Sequence, residues 1–181
     1  MKKIFLNLLF LTFFMYGNQN AFASTVNKKV LVAYYSLTGS TKRVAEIIAK
    51  NTNGELFEIV PVKPYSKEHD PTSERAKKEQ DADIRPELST HIKNMNNYDV
   101  IFIGFPIWWY KEPQLIKTFL EEYNFSGKIV IPFCTSGGVG IKNAEAEFRD
   151  MLPNSDIKNG GSFYRRTSEQ EIKEWLKTIK L

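Results

Sequence analysis

The sequence is poor in the residues that staple or metallate a fold. One cysteine, Cys134, in 181 residues excludes an internal disulfide. A lone cysteine of this kind reads as a small buried apolar residue. The two histidines, His69 and His91, stand far apart with no cysteine or regular acidic spacing around them, so no metal site is read. Beyond residue 23 no apolar run is long enough to cross a bilayer. Neither sign of charge dominates. The 25 basic and 21 acidic residues give +4, and removal of Lys2 and Lys3 lowers this to +2, too mild to argue for nucleic acid. There is no repeat, no low-complexity tract, no Gly-Lys-Ser/Thr phosphate motif and no Gly-x-Gly-x-x-Gly fingerprint.

What is present begins with an export signal. Lys2 and Lys3 precede a mostly apolar run from Ile4 to Tyr16, and Ala21-Phe22-Ala23 supplies a small-x-small cleavage site. Residues 1–23 are therefore predicted to be a secretory signal peptide, an uncleaved N-terminal anchor being the alternative. The cleavage site has no nearby cysteine for lipoprotein processing, and the basic start has no twin arginine for folded export. The expected location is periplasmic or extracellular. Residues 24–181 fit one domain with a full core.

That domain is organised around residues 30–48. Val30 to Tyr35 are six apolar or aromatic residues in a row, a strand buried on both faces. Val44, Ile47 and Ile48 have the spacing of one helical face. Between them, Ser36 to Thr41 hold four hydroxyl residues and Gly39. A strand, a hydroxyl-and-glycine turn and a helix N-terminus form an anion site, because the first helical amides lack partners and the dipole favours negative charge. Without a lysine the cradle is neutral and suits a terminal phosphate monoester. The bland alternative is an ordinary Ser/Thr turn capping a helix.

Further strands are expected at 55–62, 100–105, 128–134 and, weakly, 157–163. Pro132 is expected near the end of its strand, since it cannot donate to an interior ladder. Leu88, Ile92 and Met95 have helical spacing and are expected to form a packing helix. Asp70-Pro71 is expected to cap a shorter, polar helix running to Gln80. This polar piece reads as a solvated surface excursion, or alternatively as a flap beside a ligand. Helices carrying Leu115, Ile116, Phe119 and Leu120, and Ala144, Phe148, Met151 and Leu152, follow the third and fourth strands. Ser168-x-x-Glu171 is a capping box for a last helix. One strand exit is unusual, Pro106-Ile107-Trp108-Trp109-Tyr110, which reads as a stacking surface or as core or partner-facing residues. Thr135-Ser136-Gly137-Gly138 is rich in backbone donors or, alternatively, a plain strand-to-helix turn.

Ser36-x-Thr38-Gly39-x-Thr41 after a hydrophobic strand resembles the phosphate loop of the flavodoxin family, which binds FMN. Pro106-Ile107-Trp108-Trp109 and Pro132 to Gly138 look like the two flavin-flanking loops of a flavodoxin-like subfamily. The excursion is similar too, at Tyr65, Asp70, Arg75, Ala76, Glu79 and Arg85-Pro86-Glu87-Leu88. The resemblance covers residues 29–181. It implies an α/β fold, a flavodoxin-like three-layer α/β/α sandwich on a five-stranded parallel sheet of order 2-1-3-4-5. It implies FMN as cofactor, its phosphate on Ser36, Thr38, Gly39 and Thr41, with Leu37 and Ser40 of the same loop also in the cofactor site. The ring would be lined by Trp108, Trp109, Thr135, Ser136, Gly137 and Gly138, with Pro106, Ile107 and Tyr110 also in the cofactor site. The implied function is electron transfer to a redox partner protein or a small-molecule acceptor, with no nucleic acid and no membrane after signal cleavage. An FMN-dependent NAD(P)H or quinone reductase is the alternative, and a flavin-free interaction module a third reading. Two departures stand out: bulky Tyr110 where a small residue is expected, and a slightly basic, exported chain in a family of acidic cytoplasmic carriers.

These readings predict an order of events. The FMN contacts come from three chain segments that meet only in the folded sheet, so a chain exported unfolded loads its cofactor after export. Bound cofactor stabilises only the native state. Protein purified from outside the cytoplasm is expected to hold less flavin, and to melt lower, than a form lacking residues 1–23 made in the cytoplasm. Equal flavin loading in a strain with no FMN outside the cytoplasm would contradict this.

Overall fold

The computed structural model describes residues 28–181, so the predicted signal peptide lies outside the described residues. In chain order the elements are β1 (Val30–Tyr34), α1 (Ser40–Thr52), β2 (Glu55–Glu58), α2 (His69–Asp81), a 3-10 turn (Met95–Asn97), β3 (Val100–Pro106), α3 (Gln114–Glu122), β4 (Ile129–Thr135), α4 (Lys142–Met151), β5 (Asp156–Ile157), β6 (Gly161–Phe163) and α5 (Glu169–Thr178). The sheet runs β2-β1-β3-β4-β5, with β6 also on β4, and every pairing is parallel.

Alternate residues of the central strands supply two cores. Val30, Val32, Tyr34, Phe102, Ile131 and Phe133 pack against Val44 and Ile48 of α1 and Ile172 and Leu176 of α5. Leu31, Ala33, Ile101, Ile103, Phe105 and Cys134 face Leu115, Ile116 and Phe119 of α3 and Phe148 of α4. Helices on both faces leave β1, β3 and β4 no solvent side, which is why they read as unbroken apolar runs. Cys134 is buried as expected, and burial pushes its thiol up to about 11. Asn53, in the left-handed region, ends α1. The Ser168–Glu171 capping box opens α5.

Five local expectations are corrected. The second strand ends at Glu58 rather than Val62, with Leu56 left 43% exposed on this edge strand. After Ile59 the chain leaves the sheet and pairs with 87–89, Val62 N–H donating to Glu87 O at 2.9 Å and Ser89 N–H to Val60 O at 2.8 Å. That pairing displaces the expected packing helix. Leu88 and Met95 are still buried, but the segment is irregular. Ser89 and Thr90 hydroxyls bond backbone carbonyls of Val60 and Glu58, and Asn94 caps the 3-10 turn. Such side chains compete with helical hydrogen bonding.

α2 begins at His69, with Pro71 third in the helix rather than first. A first-turn proline still costs no intrahelical bond. Pro132 lies in the middle of β4, opposite Ile103. Its nitrogen faces away from β3, on the side where Val130 O accepts from Lys158 N–H. The missing donor falls in the gap between β5 and β6. The expected single last strand is therefore two short ones, and the sheet has six strands rather than five.

Gly104 of β3 lies beneath the buried ring of Phe133, its partner in register on β4. An added Cβ would sit 2.1 Å from Phe133 Cζ. Gly104→Ala is expected to lower stability by about 1–3 kcal/mol through overpacking. The check is denaturant unfolding of the variant alone and combined with Phe133→Leu. The double variant should lose less than the sum of the two single changes.

Candidate functional site

β1, β3 and β4 are parallel neighbours, so their C-terminal loops leave one edge of the sheet together. The chain crosses from β1 to β2 on one side and returns to β3 on the other, which makes a switch point between β1 and β3. Open parallel sheets bind ligands at such points, flavodoxin being one of the proteins on which that rule rests.

The first loop ends in a bare helix N-terminus. Gly39 is the N-cap of α1 at φ 87°, with no side chain capping the helix and no acid in its first turn. The left-handed φ is open to glycine at no steric cost. Gly39 N–H donates to Ser36 Oγ at 3.1 Å, and the Thr38 and Ser40 hydroxyls lie 3.5 Å apart on the surface. Thr41 is different. It is only 1% exposed, and its Oγ1 lies 2.8 Å from Thr135 Oγ1 at the end of β4. This buried hydroxyl pair ties the first loop to the third.

The second loop is a tight turn. Trp108 and Lys111 exchange backbone hydrogen bonds, Trp108 N–H to Lys111 O at 2.9 Å and Lys111 N–H to Trp108 O at 3.1 Å. Trp109 and Tyr110 between them both take positive φ, 47° and 69°. Turns of this kind favour Asn-Gly, so two bulky aromatics here store strain. Trp108 is held edge-on by Tyr35, at 5.6 Å between ring centroids, and by Tyr65, at 4.9 Å. Tyr65 in turn donates to Glu79 at 2.5 Å, and the Arg75 guanidinium sits 3.8 Å over its ring and pairs with Glu79. Burial and the Glu79 bond both raise the Tyr65 pKa. Trp109 Nε1–H donates to Ser73 O of α2 at 2.9 Å.

The third loop is shaped by Ser136, whose Oγ accepts from Gly138 N–H at 3.1 Å and Val139 N–H at 2.9 Å. Nothing lies within 4 Å of where a Cβ would stand on Gly137 or Gly138, so this wall is open backbone.

The three loops enclose a cleft of about 660 Å³. Of the residues singled out from the sequence, Leu37, Thr38, Ile107, Trp108, Trp109, Tyr110, Ser136, Gly137 and Gly138 line it. Ser36, Gly39 and Ser40 stand in the adjoining turn and helix start, and Pro106 ends β3. Thr41 and Thr135 lie beneath, as the strut. The opposite wall comes from the polar excursion: Lys67, Glu68, His69, Thr72 and Ser73. The sequence has no apolar pattern by which to place these. Its pointers are a polar segment too long to be a plain connection and the resemblance at Tyr65, Asp70, Arg75, Ala76 and Glu79, neither of which names the lining residues. α2 nevertheless buries Thr72, Ala76 and Glu79. The donor set fits a phosphate monoester with an attached planar ring: uncapped amides and hydroxyls at one end, indoles and glycine backbone at the other.

Fold and loops thus define an open doubly wound α/β domain with its ligand cleft at the switch point. The flavodoxin family model matches residues 29–179, and the chain belongs to that family. A flavoprotein crystal structure from Bacteroides eggerthii is 37% identical, covers 86% of this chain and 99% of its own, and superposes with a TM-score of 0.75. A flavoprotein from Lactobacillus acidophilus, solved in complex with FMN, is 29% identical over 82% of this chain and 99% of its own, at a TM-score of 0.67. Flavodoxin 1 of Salmonella typhimurium is 25% identical over 121 residues, 65% of this chain. The match spans about half, 52%, of that relative's length.

The strained turn has a measurable consequence. Tyr110 is 65% exposed, so its side chain packs little. Left-handed φ costs an L-residue roughly 1–2 kcal/mol, part of which glycine returns as unfolded-state entropy. Tyr110→Gly is expected to raise stability by about 0.5–1 kcal/mol in denaturant unfolding. A lowered midpoint would show that the turn is not strained.

Proposed function

We propose that the protein binds FMN in this cleft and serves as an exported electron carrier. The observation that carries the reading is an indole wall and an open glycine loop on one cleft, with an uncapped helix N-terminus adjoining it. Bound FMN supplies one- and two-electron redox chemistry. The chain's residues supply the rest. The first amides of α1, with the Thr38 and Ser40 hydroxyls, bind the phosphate. Trp108, fixed by Tyr35 and Tyr65, and Trp109, fixed by Ser73 O, orient the ring and exclude water from it. Backbone donors of the Ser136–Gly138 loop line its remaining side. Lys67 is the one lysine lining the cleft, so added negative charge finds little compensation and the potential is kept low. The partner is a redox protein or a small electron acceptor. The predicted signal peptide supports an extracytoplasmic site of action.

The α2 wall favours a second reading. Lys67, His69, Thr72 and Ser73 offer polar contacts to a small molecule entering beside the ring, as an FMN-dependent NAD(P)H or quinone reductase requires.

FMN added to the purified protein is expected to quench tryptophan fluorescence strongly, and Trp108→Ala with Trp109→Ala to remove most of that quenching. Thr38→Ala is expected to weaken FMN binding by roughly ten- to hundred-fold, the worth of a hydrogen bond of about 1.5–3 kcal/mol to a charged group. Riboflavin, lacking the phosphate, should bind poorly and ignore this change. Riboflavin binding as tight as FMN would move the phosphate site elsewhere. Bleaching of the flavin by NADPH alone would favour the reductase.

A further inference from the structure

Two residues beyond the strained turn, Glu112 is 4% exposed, and both its carboxyl oxygens lack a hydrogen-bond partner. They are the only buried side-chain polar atoms among the described residues in that position. An ionised carboxylate so placed is costly unless paired. The charged groups facing it are Lys111 in the same loop, Lys117 on α3 and Glu147 on α4. Both lysines are already committed to Glu147: Lys111 Nζ lies 3.2 Å from Oε2, and Lys117 Nζ is bonded to Oε1. Those bonds hold Glu147 below the usual carboxylate range. Glu112 is left without a cation and with no hydrogen-bond partner on either oxygen, its own nearby amide N–H opposing the cost of burial only in part. Burial pushes its carboxyl up to about 7, with Glu147 adding to the rise and the two lysines opposing it.

Lys111 connects this cluster to the cleft. Its backbone closes the Trp109–Tyr110 turn through both bonds to Trp108, while its side chain reaches Glu147. Ionised, Glu112 must either draw a lysine from Glu147 or swing into water. A swing of Glu112, or the transfer of Lys111 to it, shifts residues 111–112, and these carry the strained turn. The turn's other ties are single hydrogen bonds from Trp109 Nε1 to Ser73 O and from Asn143 to Tyr110 O and the edge contacts of Trp108.

We propose that Glu112 is a positioning residue: its bound proton holds the Trp108–Tyr110 turn against the cleft, and loss of that proton releases the aromatic wall. The effect on FMN rests on the reading of the cleft given above; the effect on the turn does not. The sign follows from the chemistry. The neutral acid, and with it the set wall, prevails below about pH 7 and is lost above it. If the set wall is the binding-competent form, FMN affinity falls about ten-fold per pH unit above that point.

The test uses the mature protein with His69→Gln as background, so that the one histidine lining the cleft cannot supply the pH dependence. Tryptophan fluorescence of the flavin-free protein and FMN dissociation constants are measured from about pH 6 to about pH 8.5, with and without Glu112→Gln, a neutral isostere. Expected are a fluorescence transition near pH 7 and a rising dissociation constant above it. Both should be absent from the Glu112→Gln protein, whose side chain is uncharged at every pH. The ionisation of the FMN phosphate, with a pKa of about 6, is common to both proteins. The same transition and slope in the Glu112→Gln protein would overturn the proposal. Failure of FMN to bind at any pH, with a Glu112-dependent transition intact, would remove the flavin reading and leave the switch standing. Should Glu112→Gln fail to fold, carbon-13 NMR of the glutamate carboxyls in the parent protein decides. One carboxyl titrating near pH 7 supports the proposal, and all titrating below about pH 5.5 refutes it.

Discussion

Parallel pairing of three apolar strands is the constraint from which the site follows. Tyr34 of β1 is level with Gly104 of β3, and Pro106 of β3 with Thr135 of β4. Strands that run the same way in register must release their loops at one edge. Burial on both faces makes that register hard to slip, since a one-residue shift would carry each apolar set into the opposite core. The buried Thr41–Thr135 hydroxyl pair then fixes the first loop to the third across β3. What the sheet positions, one pair of hydroxyls locks.

The parts facing the cleft are held by a different kind of force. α2 is nearly all polar and cannot drive its own burial. It stays on the body through a few directed contacts: Tyr65 to Glu79, Arg75 to the carbonyls of Lys63 and Pro64, and Trp109 to Ser73. The aromatic turn adds two unfavourable φ values and an orphaned carboxyl at Glu112. Departures from local optimum thus gather around one cleft while the sheet beneath shows almost none. A rigid core carries the cost of a site whose walls would not form by themselves.

Much of this fold was legible residue by residue. Continuous apolar runs mark β1, β3 and β4, helical spacing marks α1, α3 and α4, and the Ser168–Glu171 box marks the start of α5. Their signals are local, because a strand buried on both faces and a capped amphipathic helix each state their environment in their own composition. The segment from 82 to 98 is different. Leu88, Ile92 and Met95 do face the core, but from an irregular backbone that pairs with residues 60–62. Side-chain spacing reports which residues go inward, not which backbone carries them there.

By itself the sequence determined the layered α/β architecture, the order in which strands and helices alternate, and the three loops with the chemistry to form a ligand cleft. These follow from periodicity, caps and turn residues, each a short-range property. Tertiary structure alone decided where Pro132 could sit, since only the gap between β5 and β6 excuses its missing donor. It alone decided that Thr41 and Thr135 bond each other, that α2 walls the cleft, and that both lysines near Glu112 go to Glu147. Each of these depends on which groups meet across long stretches of chain. Competition among such partners for a few hydrogen bonds is settled in space, and no local pattern encodes it.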